Sequence, residues 1–343
     1  MSLPRIWRWM FAATALVAIS VTAVMSQAPN EGEMRSKAQT DMKNGNFRDA
    51  YENFRALCLA EKTDPKAVSS DLQSGVQCLQ NLNRVNEIDA FLESTIKSHE
   101  KNWRLLKMAG DIYLSIPKHG FEIAGKFERG NHRGGGKMVS ALERDRLRAL
   151  QLMQQALPLV KEDDQKKEVA EFYFSLSNQL LSNRGYSEAW RLQYLSDLKE
   201  LPDYEEGYPQ YRNYQGAPVD EKGNPVFYGI GKSWEESKTD GERWRWALVQ
   251  VFENDPARLN DVRMHLAQFA VQQYAPTTMQ QFNYGRRFFG LPVTDDDTQK
   301  NESGTYALDT LKETETIAKL ATGIKRFDLP DDYNYLKIWQ QVA

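Results

Sequence analysis

The sequence predicts an all-α fold of irregular, tetratricopeptide-like helical hairpins. This is an α-solenoid or α–α superhelix with one small insertion rich in proline, glycine and tyrosine. Apolar residues recur at spacings of three and four through most of residues 31–200 and 239–343, which is the period of a helix. Short polar turns separate the periodic segments. One hairpin resembles the second half of a tetratricopeptide repeat, and weaker copies follow it.

The N-terminal segment, residues 1–28, has the layout of a secretory signal peptide. Arg5 and Arg8 precede a mostly apolar run, and the small residues Ser26 and Ala28 after it are candidate cleavage positions. Because the run is shorter than the roughly 20 residues of a membrane span, we expect export to the periplasm or cell envelope. An uncleaved signal anchor is the alternative, and only in that case do we expect membrane association.

The composition argues against several classes of function. The formal net charge is -3, with 44 Lys and Arg residues against 47 Asp and Glu residues, so no polybasic surface for nucleic acid is expected. The two cysteines and four histidines include no HExxH motif and no closely spaced ligand pair. The acidic runs at 295–297 and 331–332 do not match a calcium-binding loop. We therefore expect no metal, no cofactor and no nucleic-acid partner.

The clearest hairpin opens the first predicted domain, which spans residues 31–200. Gly45 permits a tight turn between two helices, and Phe47 fills the space between them. Ala50 allows the helices to approach closely, and Phe54 lies on the same face. These four are the predicted repeat-packing residues. The weaker copies comprise Asn83, Val85, Ile88 and Leu92, and then Tyr186, Ala189 and Gln193.

Cys58 and Cys78 lie on the apolar faces of consecutive predicted helices. Export to an oxidising compartment would allow a disulfide between them. The alternative is two separate buried thiols, since a buried cysteine packs as a small hydrophobe. Neither cysteine has the neighbouring groups of a catalytic thiolate.

Helical periodicity stops in the glycine-rich residues 118–137, which are predicted to form a long exposed loop. The stretch at 130–137 is not a phosphate-binding loop, because Asn131 and Met138 replace the glycine and the Ser or Thr that such a loop requires. The segment is nevertheless the most basic predicted loop, so it is the first choice for a contact with a partner. The candidate contact residues are Arg129, His132, Arg133 and Lys137.

The helix after this loop carries an apolar stripe, with Arg144, Arg146 and Arg148 predicted on the side facing away from the core. Residues 201–238 then form a predicted irregular linker and hairpin, because prolines and glycines interrupt any helix there. The turn of the hairpin is predicted at 222–225. This segment is the predicted boundary between two helical halves.

The predicted C-terminal helical region spans residues 239–343. Thr239 and Glu242 have the spacing of a capping box at the start of a helix. Asp255, directly before a proline, opens the next helix. A further helix is predicted at 308–322.

A last helix is predicted from Tyr335, without an evident packing partner. Three tryptophans could form a carbohydrate or peptide platform, but aromatic residues at helical spacing favour a place in the core. They are Trp234, Trp244 and Trp246.

Several short strings are specific enough to compare with known families. They are NWRLL at 102–106, GNHRGGG at 130–136, ERDR at 143–146, RALQLM at 148–153, QALP at 155–158, DGERWRW at 240–246, YALDTL at 306–311 and ATGIKRF at 321–327. Together with residues 64–82 they resemble the N-terminal region of large exported bacterial alpha-2-macroglobulin-like proteins. The resemblance implies a helical, repeat-like part that precedes a series of β-sandwich macroglobulin domains, in a family whose better-known members trap proteases.

The sequence departs from this family in two respects. It ends at Ala343, before any macroglobulin domain, and it lacks a thioester motif of the form Cys-x-Glu-Gln, since Cys78 is followed by Leu79 and Gln80. The resemblance therefore supplies no catalytic residue. We do not expect this polypeptide alone to trap proteases.

We expect an exported, non-catalytic helical scaffold that mediates protein–protein interaction, with a protein or peptide as its partner. The alternative is a fragment or subunit of a protease-trapping alpha-2-macroglobulin assembly. A remote alternative is an unrecognised hydrolase.

Overall fold

The computed structural model of the protein describes residues 30–210, 214–276 and 310–343. Within these ranges helices dominate, and two small antiparallel sheets accompany them. The predicted helical character is therefore confirmed, but the all-α prediction omits both sheets. The predicted signal segment and the acidic run at 295–297 lie outside the described residues.

Two compact units divide between Arg84 and Val85, whereas the sequence placed a boundary at 201–238. In the described part of the first unit, α1 (Glu31–Lys43), α2 (Phe47–Leu59) and α3 (Val68–Asn81) pack in sequence order, α2 against both of its neighbours.

The turn between α1 and α2 follows the repeat-packing prediction. Gly45 has φ +80°, a backbone conformation that glycine adopts without strain. Ala50 is fully buried and Phe54 is 1% exposed, whereas Phe47 is only half-buried at the start of α2. The burial of Ala50 is consistent with the predicted close approach of α1 and α2.

The second unit begins with a helical layer of α4 (Ile88–Ser98), α5 (Trp103–Ser115), α6 (Leu142–Lys161) and α7 (Lys166–Leu181). Helix α5 packs along α6, and α6 packs against α7. The apolar stripe of α6 forms the core of this layer. Its fully buried members include Ala149, Leu150, Leu152, Met153, Ala156 and Val160.

The prediction of a long exposed loop at 118–137 is wrong, because most of that segment forms a sheet between α5 and α6. Strands β1 (His119–Ile123), β2 (Lys126–Arg129), β3 (Lys137–Ser140) and β4 (Glu205–Glu206) are ordered β2-β1-β3-β4. All adjacent pairs are antiparallel.

The glycines of this segment close turns and accommodate neighbouring side chains in the sheet. A two-residue turn at Ala124 and Gly125, with φ +49° and +75°, joins β1 to β2. Two positive φ angles match the right-handed twist of the paired strands. An Ala-Gly pair is a weak hairpin signal, so the sequence pattern did not reveal the turn.

Apart from β4, the described residues of 201–238 are irregular, as predicted, with a turn in which Asp220 N donates to Asn224 O at 2.8 Å. They are not a linker, however, because Tyr228 is 4% exposed and its hydroxyl donates to Ala189 O at 3.0 Å. Tyr228 therefore belongs to the core of the second unit.

The helix start predicted from the spacing of Thr239 and Glu242 is confirmed, with the Glu242 carboxylate accepting from Lys238 N at 2.7 Å, one residue before the N-cap. Thr239 Oγ1 accepts a hydrogen bond from Glu242 N at 3.0 Å at the start of α8 (Asp240–Asn254), which packs against α7. A 3₁₀ turn at Pro256–Arg258 leads into α9 (Leu259–Tyr274). The predicted core tryptophans are buried as expected: Trp234, Trp244 and Trp246.

The predicted helix at 308–322 is wrong over its described part, where β5 (Glu315–Leu320) pairs with β6 (Gly323–Asp328). Strand β5 is held against the preceding core, since Thr316 Oγ1 donates to Tyr274 O at 2.7 Å. Helix α10 (Tyr335–Val342) packs on α9, so the partner that was not evident in the sequence is α9.

In residues 30–210, 214–276 and 310–343, no helix combines the length and apolar character that a membrane crossing requires.

Candidate partner-binding surfaces

Arg129 does not belong to an exposed contact loop. It ends β2, is 2% exposed, and donates to Asp89 Oδ1 at 2.7 Å and to Asp145 Oδ2 at 2.8 Å. Burial opposes its charge, yet the hydrogen bonds to both carboxylates raise the pKa of the guanidinium. Lys118 Nζ adds a second cation at 3.1 Å from Asp145 Oδ2. The predicted contact role of Arg129 is therefore corrected to a buried structural one.

The other three candidate contact residues do not converge. Arg133 is exposed, Lys137 Nζ lies 3.0 Å from Glu206 Oε2, and His132 Nδ1 lies 3.4 Å from Glu128 Oε2. Lys137 and Glu206 form an exposed ion pair, which contributes little to stability, and the contact between His132 and Glu128 is partly exposed. A contact role for this loop stays a prediction.

The two cysteines are separate buried thiols, so the candidate disulfide is not present. Burial raises the pKa of the Cys78 thiol to about 11, and burial also raises the pKa of Cys58. Thiols of this kind are unreactive, because the thiolate is the nucleophile. Across the described ranges, no group of three or more His, Cys, Asp or Glu side chains could hold a metal ion.

An open cleft of about 550 Å³ lies beside the buried Arg129 cluster. We call it the Arg144 cleft and define it by its lining residues. They are Asp89, Glu93, Tyr113, Lys126, Phe127, Arg129, Arg144, Asp145, Arg148, Leu201 and Tyr204. The lining comes from α4, α5, α6 and β2, and from the segment that leads into β4.

One wall of the cleft is a pair of stacked rings. Phe127 and Tyr204 lie 4.3 Å apart at their centroids, with 14° between the ring planes. The guanidinium of Arg144 lies over the Tyr204 ring at 4.8 Å, and that of Arg129 lies over the Phe127 ring at 5.2 Å. Cations over ring faces are attracted by the ring quadrupole.

Gly120 makes this wall possible. It pairs with Arg129 across β1 and β2 and therefore shares a sheet face with Arg129 and Phe127. A Cβ atom at this position would overlap the Phe127 ring. Because Gly120 has no side chain, the Phe127 ring lies over this position of β1 and reaches Tyr204.

Another part of the lining is the ion pair between Arg148 and Glu93. Arg148 Nε and Nη2 donate to the two carboxylate oxygens of Glu93 at 2.8 and 2.7 Å, and the Tyr113 hydroxyl donates to Glu93 Oε1 at 2.6 Å. Burial raises the pKa of Glu93, but the hydrogen bonds from Arg148 and Tyr113 outweigh it and lower the pKa. Glu93 is therefore a fixed anion.

Arg146 also departs from the predicted solvent-facing position, since it is 1% exposed. It donates to Leu180 O at 3.1 Å, to Ser182 O at 3.2 Å and to Ser196 Oγ at 3.0 Å. Burial lowers its pKa to about 10. Main-chain carbonyls satisfy this arginine, so its role is to join α6 to the end of α7 and to the segment that follows.

A second surface was not recognised in the sequence. We call it the aromatic strip and define it as Tyr186, Trp190, Tyr194 and Leu195. Their exposed fractions are 51%, 43%, 62% and 44%, respectively. The sequence pattern treated this segment as a weak helical repeat, whereas Ala189–Gln193 is a 3₁₀ turn that leaves these large side chains outside the core.

The backbone of the aromatic strip is anchored at three points. Gly185 O accepts from Gln273 Nε2 at 2.8 Å, Ala189 O accepts from the Tyr228 hydroxyl at 3.0 Å, and Tyr194 O accepts from Asp240 N at 3.0 Å. The donors lie on α8, on α9 and in residues 201–238. The side chains are thus exposed on a backbone held in one place.

Comparison with protein-family models, with curated proteins and with solved structures finds no match for this chain.

Proposed function

We propose that this chain is an exported, non-catalytic helical scaffold that binds an apolar segment of a protein partner through the aromatic strip. The observation that supports it is the combination of exposed rings and fixed backbone. Tyr and Trp residues dominate binding energy where a partner covers them. An anchored backbone reduces the entropy that binding would otherwise cost.

The fold supports a scaffold of the tetratricopeptide-like kind. Helices α1 and α2 are joined at the left-handed Gly45, and the small Ala50 and the large Phe54 of α2 are buried. Residues 1–28 support export by their signal-peptide layout. We include an envelope location in the proposal on that ground.

We also propose kinship with the N-terminal region of bacterial alpha-2-macroglobulin-like proteins, on the sequence strings quoted above. Under that alternative the scaffold serves a protease-trapping assembly as its helical part, and the partner bound by the aromatic strip belongs to the same assembly.

The test compares two double variants of the full chain recovered from the cell envelope. Trp190→Ala with Tyr194→Ala removes two exposed rings of the strip. Leu336→Ala with Trp339→Ala removes two exposed apolar side chains from α10 and is the matched control. Analytical ultracentrifugation of mild envelope extracts gives the size of the complex that contains the chain.

We expect the first variant to sediment as the uncomplexed chain with an unchanged circular dichroism spectrum, and the control to keep the larger complex. A complex that is retained by the first variant, or lost equally by both, contradicts the proposed function.

A further inference from the structure

We infer that the Arg144 cleft is a carboxylate-binding site, whose ligand carries an apolar or aromatic group beside its carboxylate. It is a different site from the aromatic strip and is independent of the proposed function. The residues that carry it are Arg144, Tyr204, Phe127 and Leu201.

The lining of the Arg144 cleft carries a surplus of positive charge. Its lining holds four cations and three carboxylates, in a chain whose formal net charge is -3. Arg129 and Lys118 together balance Asp89 and Asp145, and Arg148 is paired with Glu93. The positive charge left over belongs to Arg144 and to the exposed Lys126. Neither of these two forms an ion pair with any described residue, so the surplus is local and uncompensated.

Two contacts orient the guanidinium of Arg144. Its Nη1 donates to Pro202 O at 2.6 Å, and its Cζ lies over the Tyr204 ring at 4.8 Å from the centroid. These two contacts hold the half-buried guanidinium in place. Its other N–H groups donate to no acceptor within the described ranges. A planar fork with free donors matches the two oxygens of a carboxylate.

The surface next to the Arg144 guanidinium is apolar. The stacked rings of Tyr204 and Phe127, together with Leu201, form an apolar wall on the same cleft. A volume of about 550 Å³ lies in the range of small-molecule sites. The cleft therefore has room for a small organic acid or for a few residues of a peptide. The apolar part of such a ligand would lie against the rings.

Two sources supply this chemistry, a free organic acid and an acidic residue beside an aromatic one in a peptide. The probes for the free acid are 3-phenylpropanoate and its neutral amide. The probes for the peptide are acetyl-Phe-Glu-Phe-amide and the same peptide with Gln in place of Glu. Binding of each to the full chain is measured by saturation-transfer NMR and isothermal titration calorimetry.

We expect at least one carboxylate probe to bind about tenfold or more tightly than its neutral counterpart, since a charge-assisted bidentate contact is lost in the amide. Arg144→Gln should remove that preference. Arg133→Gln, which deletes an exposed arginine outside the cleft, should change it less than about twofold. Preference for the peptide over the free acid assigns the site to a protein ligand, and the reverse assigns it to a small molecule.

Three outcomes overturn the inference: no probe binds at about 10 mM, acid and amide bind equally, or Arg144→Gln binds as the unaltered chain does. Arg144→Lys keeps the charge without the planar fork and should recover less than about a third of the affinity. Thermal unfolding of each variant shows whether it is folded. The aromatic-strip variant Trp190→Ala with Tyr194→Ala should bind the probes normally, so the two proposals fail independently.

Discussion

The rings of Phe127 and Tyr204 stack at 4.3 Å, although β2 and β4 occupy opposite edges of the same four-stranded sheet. Gly120 in the intervening β1 leaves the space that the Phe127 ring occupies. Because Gly120 has no side chain, Phe127 and Tyr204 can stack and form one wall of the Arg144 cleft.

Gly120→Ala should lower the free energy of unfolding by about 1–3 kcal/mol, because the new methyl group overlaps the Phe127 ring and overpacking is strained. Urea denaturation measures the change. The control is Gly135→Ala, where a Cβ would contact nothing and φ is not positive, and it should stay within about 0.5 kcal/mol. Equal effects of the two substitutions would contradict the role given to Gly120.

Arg129→Met should destabilise the chain by about 3 kcal/mol or more, because Asp145 then remains buried with less compensation. Lys137→Met, which removes the exposed pair with Glu206, should cost less than about 1 kcal/mol. Arg129 and Lys137 come from the same glycine-rich segment of the sequence. Chemical denaturation of the two variants therefore compares the loss of a buried cation with the loss of an exposed one. A small effect at Arg129 would mean that it is not buried in an ion-pair network.

His265 should make the protein less stable in mild acid. Burial lowers its pKa to about 4, and its Nε2 accepts a hydrogen bond from Trp244 Nε1 at 3.3 Å, which requires the neutral ring. With an unfolded pKa near 6.5, the unfolded chain binds more protons between about pH 6.5 and 4. This contribution to stability is therefore lost as the pH falls through that window, by about 1–3 kcal/mol.

The measurement is the free energy of unfolding as a function of pH for the unaltered chain and for His265→Gln. The variant should lose most of the slope between pH 6.5 and 4. His132→Gln, at a partly exposed position, should keep it. An unchanged slope in the His265 variant contradicts this assignment.

Cys58 and Cys78 should both resist alkylation in the native chain and react fully once it is denatured. The reason is that burial raises the pKa of both thiols, and only a thiolate reacts. Mass spectrometry after iodoacetamide treatment, without a reductant, counts the modified residues. Protein from the envelope with no alkylated cysteine after denaturation would reveal a disulfide instead.

The parts of the fold that the sequence predicted rest on local signals. The spacing of Thr239 and Glu242 marks the start of α8, and Gly45 marks the turn between α1 and α2, because each needs only residues near it in the chain. The strands at 119–140 were missed because their hairpin uses an Ala-Gly turn and because the glycines in β1 and between the strands resemble a loop.

The candidate sites depend on long-range pairing, which a single sequence does not display. Arg129 meets Asp89 from 40 residues away, and Tyr204 meets Phe127 only through the register of the sheet. Arg146 lies on the polar side of a helical pattern but is satisfied by carbonyls from another helix. Helical periodicity therefore assigned Arg146 to the surface, and the glycine-rich composition of 118–137 assigned Arg129 to an exposed loop.

The most direct test of the central claim is site-specific photo-crosslinking in intact cell envelopes. A photoreactive amino acid replaces Trp190 in the aromatic strip, or Met264, another exposed apolar residue on α9, in the full chain. We predict that position 190 yields one discrete crosslinked protein, which disappears when Tyr194→Ala is added, and that position 264 does not yield it. Absence of a discrete product at position 190, or the same product from both positions, would contradict the claim that the aromatic strip binds a partner.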